Sequence, residues 1–169
     1  LLVEEGARLL QDAHQPQVLE LGVGCGAVSV ALARELGRGC FIATDISPSA
    51  LVLARENRDR MGMTDRLNLV CSDLFQAFRP QPVFHLIVSN PPYVPTREYE
   101  QLPKEIKEFE PRSALDGGSD GLEIIRKILT EAPPFILPGG RVLLEIGEKQ
   151  GAAVLEIART LGVYGEAKT

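Results

Sequence analysis

The sequence contains no tryptophan, and aromatic residues make up only 5% of it. Methionine and histidine occur twice each and cysteine three times. So few aromatics, together with a formal net charge of −5, speak against a surface that stacks unpaired bases or neutralises phosphates. Cys25, Cys40 and Cys71 form no CxxC pair, and only His14 and His85 are available to join them, so no metal site is expected. Three scattered cysteines read instead as small buried residues in a reducing compartment. No apolar run approaches the roughly 20 residues of a membrane span. No signal peptide is legible, because Glu4, Glu5 and Arg8 interrupt the opening turns. What is present suits a globular protein: 44% hydrophobic and 24% charged residues over 169 positions, read as a single domain, 1–169, with a substantial core.

Periodicity then orders the chain. Leu2, Ala7, Leu9 and Leu10 space like one helix face within 1–13, and the start, without a cap or a Met, reads as a cut edge. Gln17 to Leu21 (QVLEL) reads as a short buried strand, followed by glycines at 22, 24 and 26. A Val-, Ala- and Leu-rich helix over 27–36 ends at Gly37, the usual helix-stopping residue. Cys40 to Thr44 is a second strand, with Asp45 at its carboxyl end. Ser47-Pro48 opens a helix, Ser as N-cap and Pro at the first helical position, running to about Met61 with Leu51, Ala54 and Met61 facing inward. Leu67 to Cys71 and Phe84 to Ser89 are further strands. Residues 94–121, with prolines at 95, 103 and 111, lack periodicity and read as a long functional loop. A helix over 122–132, a strand over 141–146 and a helix over 150–161 complete the pattern.

Near-continuous apolar strands alternating with helices describe a parallel sheet covered on both faces. Right-handed crossovers make that a doubly wound, Rossmann-like α/β fold, in which ligands collect at the carboxyl ends of the strands. The chemistry-bearing residues all fall at those ends.

The first group is Glu20, Gly22, Val23, Gly24, Cys25 and Gly26. Glycines between a strand and a helix let the backbone turn sharply and let a ligand approach its N–H groups. The run also satisfies the G-x-G-x-x-A dinucleotide fingerprint, so alone it does not separate NAD from S-adenosylmethionine. Asp45, followed by Ile46, is placed to accept hydrogen bonds from both hydroxyls of an unphosphorylated ribose, or to cap a helix. Asp73 and Leu74 are placed to flank an adenine, with Asp73 taking its amino group; a plain turn explains Asp73 as well. The third group, Asn90-Pro91-Pro92-Tyr93, chooses between cofactors. Two prolines fix their φ angles and remove two donors, so their carbonyls and the Asn90 side-chain oxygen are expected to face the cleft as acceptors. Tyr93 adds a flat apolar face. Acceptors beside an aromatic plate suit an NH₂ group on an sp² carbon.

Together, the glycine loop, Asp45 and the NPPY tetrapeptide resemble class I methyltransferases acting on exocyclic or amide nitrogens. The run Glu110-Pro111-Arg112-Ser113-Ala114-Leu115, then Asp116-Gly117-Gly118-Ser119-Asp120-Gly121-Leu122, is similar to the segment after NPPY in the HemK (PrmC) family. That resemblance implies a class I fold and S-adenosylmethionine as cofactor. It also implies the glutamine of the Gly-Gly-Gln loop of peptide-chain release factors as substrate. Gly22, Gly24 and Gly26 would line the methionine end of the cofactor, and Asn90 and Pro91 would accept the amide hydrogens. It further implies a preceding helical domain and a closing antiparallel strand pair that this chain lacks, and a cytoplasmic setting, bacterial by default with a mitochondrial homologue left open; no membrane or direct nucleic-acid partner is expected. Glu110 and Arg112 read as an ion-pair device pinning the loop beside NPPY. Competing readings are a DNA or RNA base amino-group methyltransferase, an NAD-dependent oxidoreductase that leaves NPPY unexplained, and a non-catalytic scaffold.

Overall fold

In the computed structural model, which describes all of Leu1–Thr169, Gln17–Leu21 forms β1 with four of its five side chains buried. Backbone N–H and C=O groups on so buried a strand need partners along both edges. β1 has them in β2 (Cys40–Asp45) and β4 (Phe84–Ser89), both parallel to it. β3 (Leu67–Cys71) pairs with β2, and β5 (Ile136–Leu144) with β4, giving a five-stranded sheet of order β3-β2-β1-β4-β5. Every pairing is parallel, so the carboxyl ends of all five strands share one edge.

The helices joining these strands begin and end where their chemistry requires. α1 (Leu2–Leu9) precedes the sheet, and α2 (Ala27–Leu36) follows the glycine loop and stops at Gly37, which adopts φ +63°. α3 (Pro48–Arg60) starts as expected, with the Ser47 side chain accepting from the Ala50 amide and Pro48 in the first turn. Leu51 and Ala54 are buried on its inner face, but Met61 is 39% exposed. Met61 lies at the cap, where the helix has ended, and Met63 takes the buried place instead. The core formed by α1 to α3 and the sheet includes Leu2, Val18, Leu32, Phe41, Leu67 and Leu86.

The segment read as a long loop contains three short helices: α4 (Thr96–Gln101), α5 (Lys104–Phe109) and α6 (Arg112–Leu115). Each starts directly after one of the prolines 95, 103 and 111, so the prolines named within that loop mark helix starts. None of the three has a buried residue, which is why no apolar period marks them. α7 (Glu123–Glu131) buries Ile125, Ile128 and Leu129. α8 (Gly151–Leu161) closes the chain's regular structure. β5 starts five residues earlier than expected and ends at Leu144, because the ILPGG run pairs with β4 through an irregular register before Arg141. No helix is long and apolar enough to cross a membrane.

Two compact units emerge: Leu1–Ser89 with Pro134–Leu144, which holds the whole sheet, and Asn90–Pro133 with Glu145–Thr169.

Candidate active site

In the sheet unit, the turn after β1 is left-handed three times: Gly22, Gly24 and Gly26 have φ of +71°, +53° and +84°. A side chain at Gly22 or Gly24 would meet no atom within 4 Å, whereas at Gly26 it would press on Ala54 at 3.4 Å. The first two glycines therefore leave open space for a ligand, and the third lets α2 pack closely on α3. Between them, the Val23 amide donates to Thr44 O at 2.8 Å and the Val23 side chain is buried.

Asp45, at the end of β2, holds this loop. One carboxylate oxygen accepts from the Gly24 amide at 2.9 Å and the other from the Ser47 amide at 2.8 Å. Helix capping falls to Ser47 instead. Each Asp45 oxygen retains acceptor capacity for a further donor. Asn57 on α3 adds a tether that spacing did not reveal, donating from Nδ2 to Cys25 O at 2.9 Å. An Asn three residues after a buried helical Ala54 is the available signal.

Glu20 is 2% exposed. Its carboxylate accepts from the Ser29 amide at 3.0 Å and from the Ser29 hydroxyl. Burial pushes its pKa up to about 8, against the opposing pull of the Ser29 hydrogen bonds, with a smaller upward push from the Asp45 charge.

Beyond β3, Ile46, Cys71, Ser72, Asp73, Gln76 and Ala77 line an open cavity of about 360 Å³. Ile46 is 64% exposed there. Gln76 donates to Asp73 Oδ2 at 3.3 Å, tying two of the cavity's polar side chains together. Leu74 is not among the lining residues; it adopts φ +46°, the chain's one left-handed non-glycine. Cys71 and Cys25 are exposed and Cys40 half-buried, so the expectation of three buried cysteines does not hold. Two of them sit on loops or strand ends that open to solvent, where the first unit's glycines and turns leave no cover.

The second unit opens with the NPPY run, directly bonded to Ser89, whose hydroxyl donates to Leu21 O at 2.7 Å across the sheet. Asn90 is exposed, and neither its side chain nor the Pro91 carbonyl has a hydrogen-bond partner in the chain. The next two residues are held. Pro91 is buried, and Pro92 O lies only 2.6 Å from where a side chain on Gly117 would begin, so the Pro92 carbonyl packs on the Gly117 turn. The Tyr93 carbonyl accepts from Gln150 at 2.9 Å, and its hydroxyl donates to Glu145 at 3.4 Å. Burial, then the Glu145 carboxylate, raises the Tyr93 pKa.

The EPRSALDGG segment docks onto this run through backbone: Val94 N to Leu115 O, Gly117 N to Val94 O and Thr96 N to Gly118 O, all 2.8–2.9 Å. Asp116 is its hub. Its carboxylate accepts from Thr96 Oγ1 at 2.8 Å, from the Gly118 amide at 3.0 Å and from Arg112 through Nε and Nη2 at 2.9 and 2.8 Å. These bonds hold the Asp116 carboxyl below its ordinary pKa, the Thr96 hydroxyl contributing most. Arg112 thus pairs with Asp116, one helical turn on, and stacks over Tyr99 at 5.0 Å. Glu110 is exposed and takes no part.

Comparison with known proteins agrees with this geometry. A family model described as "Methyltransferase small domain" matches residues 3–107. The chain is 44% identical over 155 residues to a release factor glutamine methyltransferase of Geobacter sulfurreducens, covering 92% of this chain and 53% of that protein. It is 40% identical over 164 residues to one of Moorella thermoacetica, covering 97% and 57%. The chain thus spans about half the length of the curated relatives it matches. Among solved structures, a methyltransferase from Pyrococcus furiosus superposes with a TM-score of 0.63 at 22% identity, covering 95% of this chain and 70% of that one. TrmN from Thermus thermophilus does so at 0.65 and 22%, covering 92% and 40%. These neighbours share the class I methyltransferase fold. By sequence match and by fold, the chain belongs to the methyltransferase small domain family.

Proposed function

We propose that the chain is the catalytic domain of an S-adenosylmethionine-dependent methyltransferase. Its target in this reading is the side-chain amide nitrogen of the glutamine in the Gly-Gly-Gln loop of peptide-chain release factors. The observation that carries the reading is the contrast within NPPY: the Asn90 side chain and Pro91 carbonyl are unclaimed acceptors, while Pro92 and Tyr93 are fixed. Two acceptors on an immobilised run match the two hydrogens of a primary amide. The names of the relatives supply the protein substrate.

The cofactor fits the residues present. Open space at Gly22 and Gly24 admits a ligand against the loop backbone, Asp45 retains capacity for ribose hydroxyls, and the cavity at Asp73 and Gln76 is of a size to receive a base. When bound, S-adenosylmethionine supplies a methyl group on a sulfonium centre, activated enough for a weak nucleophile. The chain's part is then positioning. Asn90 and Pro91 accept the amide hydrogens, orient the nitrogen and stabilise the positive charge that grows on it, while the Tyr93 ring supports the amide plane. Orientation of this kind contributes several kcal/mol, on the order of 7–11 in the most favourable intramolecular cases. Oriented acceptor dipoles add a few more. The proton departs to water, so no strong base is needed. The bacterial relatives support a cytoplasmic setting for this reaction.

The test is transfer of labelled methyl to three acceptors: a release factor, the same protein with Gly-Gly-Ala in the loop, and an oligonucleotide. Label confined to the glutamine-bearing protein is expected. Equal labelling of the Gly-Gly-Ala protein, or labelling of the oligonucleotide, would overturn the assignment.

A further inference from the structure

We propose that Gln150 is a positioning residue for this reaction, locking the Asn90–Tyr93 run by gripping its last carbonyl. The proposal rests on the reading of that run given above. Gln150 stands at the N-cap of α8, half-buried. Its Nε2 donates to Tyr93 O at 2.9 Å and to Gly121 O at 3.3 Å, and its Oε1 accepts from the Gly147 amide at 2.8 Å. The partners fix which end of the amide is which, since carbonyls only accept and a backbone N–H only donates. One side chain therefore ties together three turns: the one after β4, the Asp116–Gly121 turn and the one before α8.

No other side chain bonds to the main chain of residues 90–93. The two prolines have no N–H with which to anchor themselves, so the hydrogen bond that holds the run's main chain comes from an outside donor at its last carbonyl. The surroundings are built for that donor. A side chain on Gly121 would sit 2.2 Å from Tyr93 O and 2.6 Å from Gln150 Nε2, at a backbone φ of +75°. Gly121 is thus glycine twice over, for its conformation and for the space the clamp needs.

This geometry demands an amide. A glutamate has the same shape, but when ionised it aims a second negative oxygen at two carbonyls. When protonated it offers one O–H, which restores a donor to Tyr93 O while the other oxygen still accepts from Gly147. Gln150→Glu is therefore a pH-dependent lesion and Gln150→Ala a pH-independent one, a difference that simple loss of packing does not produce.

The experiment compares wild type, Gln150→Glu and Gln150→Ala in two readouts. The first is amide exchange at Val94, Thr96 and Gly117, corrected for intrinsic rates. In Gln150→Glu these amides should exchange about tenfold or more faster at about pH 7, and return toward wild type at or below about pH 4.5. Gln150→Ala should show the same acceleration at both. The second readout is methyl transfer near neutral pH. kcat of Gln150→Glu should fall about tenfold or more, with S-adenosylmethionine affinity unchanged within about twofold, and should recover in part as pH is lowered. The clamp is refuted if either variant leaves exchange at these amides unaltered, if the two variants share one pH dependence, or if cofactor affinity falls in step with kcat. Absence of glutamine methylation by the wild-type chain would sink the functional reading, while the exchange measurement still decides the clamp.

Discussion

Asp45 spends one carboxylate oxygen on Gly24 and the other on Ser47, so its removal loosens the glycine loop as well as deleting an acceptor. Asp45→Ala should weaken S-adenosylmethionine binding about 10- to 100-fold, the range expected for charged hydrogen bonds, as calorimetry would read. Asn90 behaves in the opposite way. Its side chain supports nothing in the fold, so Asn90→Ala should leave cofactor affinity and thermal stability near wild type while turnover falls on the order of a hundredfold. Unchanged turnover would remove Asn90 from the mechanism. Glu20 carries a pH signature. Its folded pKa of about 8 lies above the ordinary 4.5, so between those values the folded state keeps a proton that the unfolded state releases. Its contribution is thus fully favourable below about 4.5 and declines until pH passes about 8. In denaturation across that window, Glu20→Gln should lose less stability with rising pH than wild type. These residues were legible in sequence because glycines and a strand-end acid have few other reasons to share a register. Asn57 and Gln150 were not, because what marks them is a partner 32 and 57 positions away.

At the level of elements, strands and long helices followed from apolar period and caps, and the boundaries of β1, α2 and β4 agree with their signals. Ser47 carries a measurable share: Ser47→Ala should cost about 1 kcal/mol of stability in chemical denaturation. The failures share one cause. α4 to α6 bury nothing, so hydrophobic spacing has no purchase on them, and only the prolines that begin each helix announce it. The early start of β5 is a pairing effect, set by β4 and its irregular register and not by the glycines and proline within the strand. Gly121→Ala tests the element built around these turns. A methyl there meets Tyr93 O in a left-handed backbone, and the variant should lose about 2 kcal/mol or more in the same assay.

Across the whole molecule, burial is uneven, and exchange should follow it. Amides of α4 to α6 are expected to exchange orders of magnitude faster than those of β1 and β4, whose residues are nearly all buried. The parallel sheet has a further consequence for how the chain is made. β1 meets β2 after a short helical crossover, but its other edge waits for β4, with Ser89 bonding Leu21 from 68 positions downstream. As the protein leaves the ribosome, a three-stranded half-sheet can assemble well before its central strand is covered. The emerging polypeptide then carries an open apolar border, and pairing across so long an interval is slow. A pause that leaves β1 to β3 outside the ribosome and β4 still within it should therefore yield a species prone to self-association, and release of the pause should abolish that tendency.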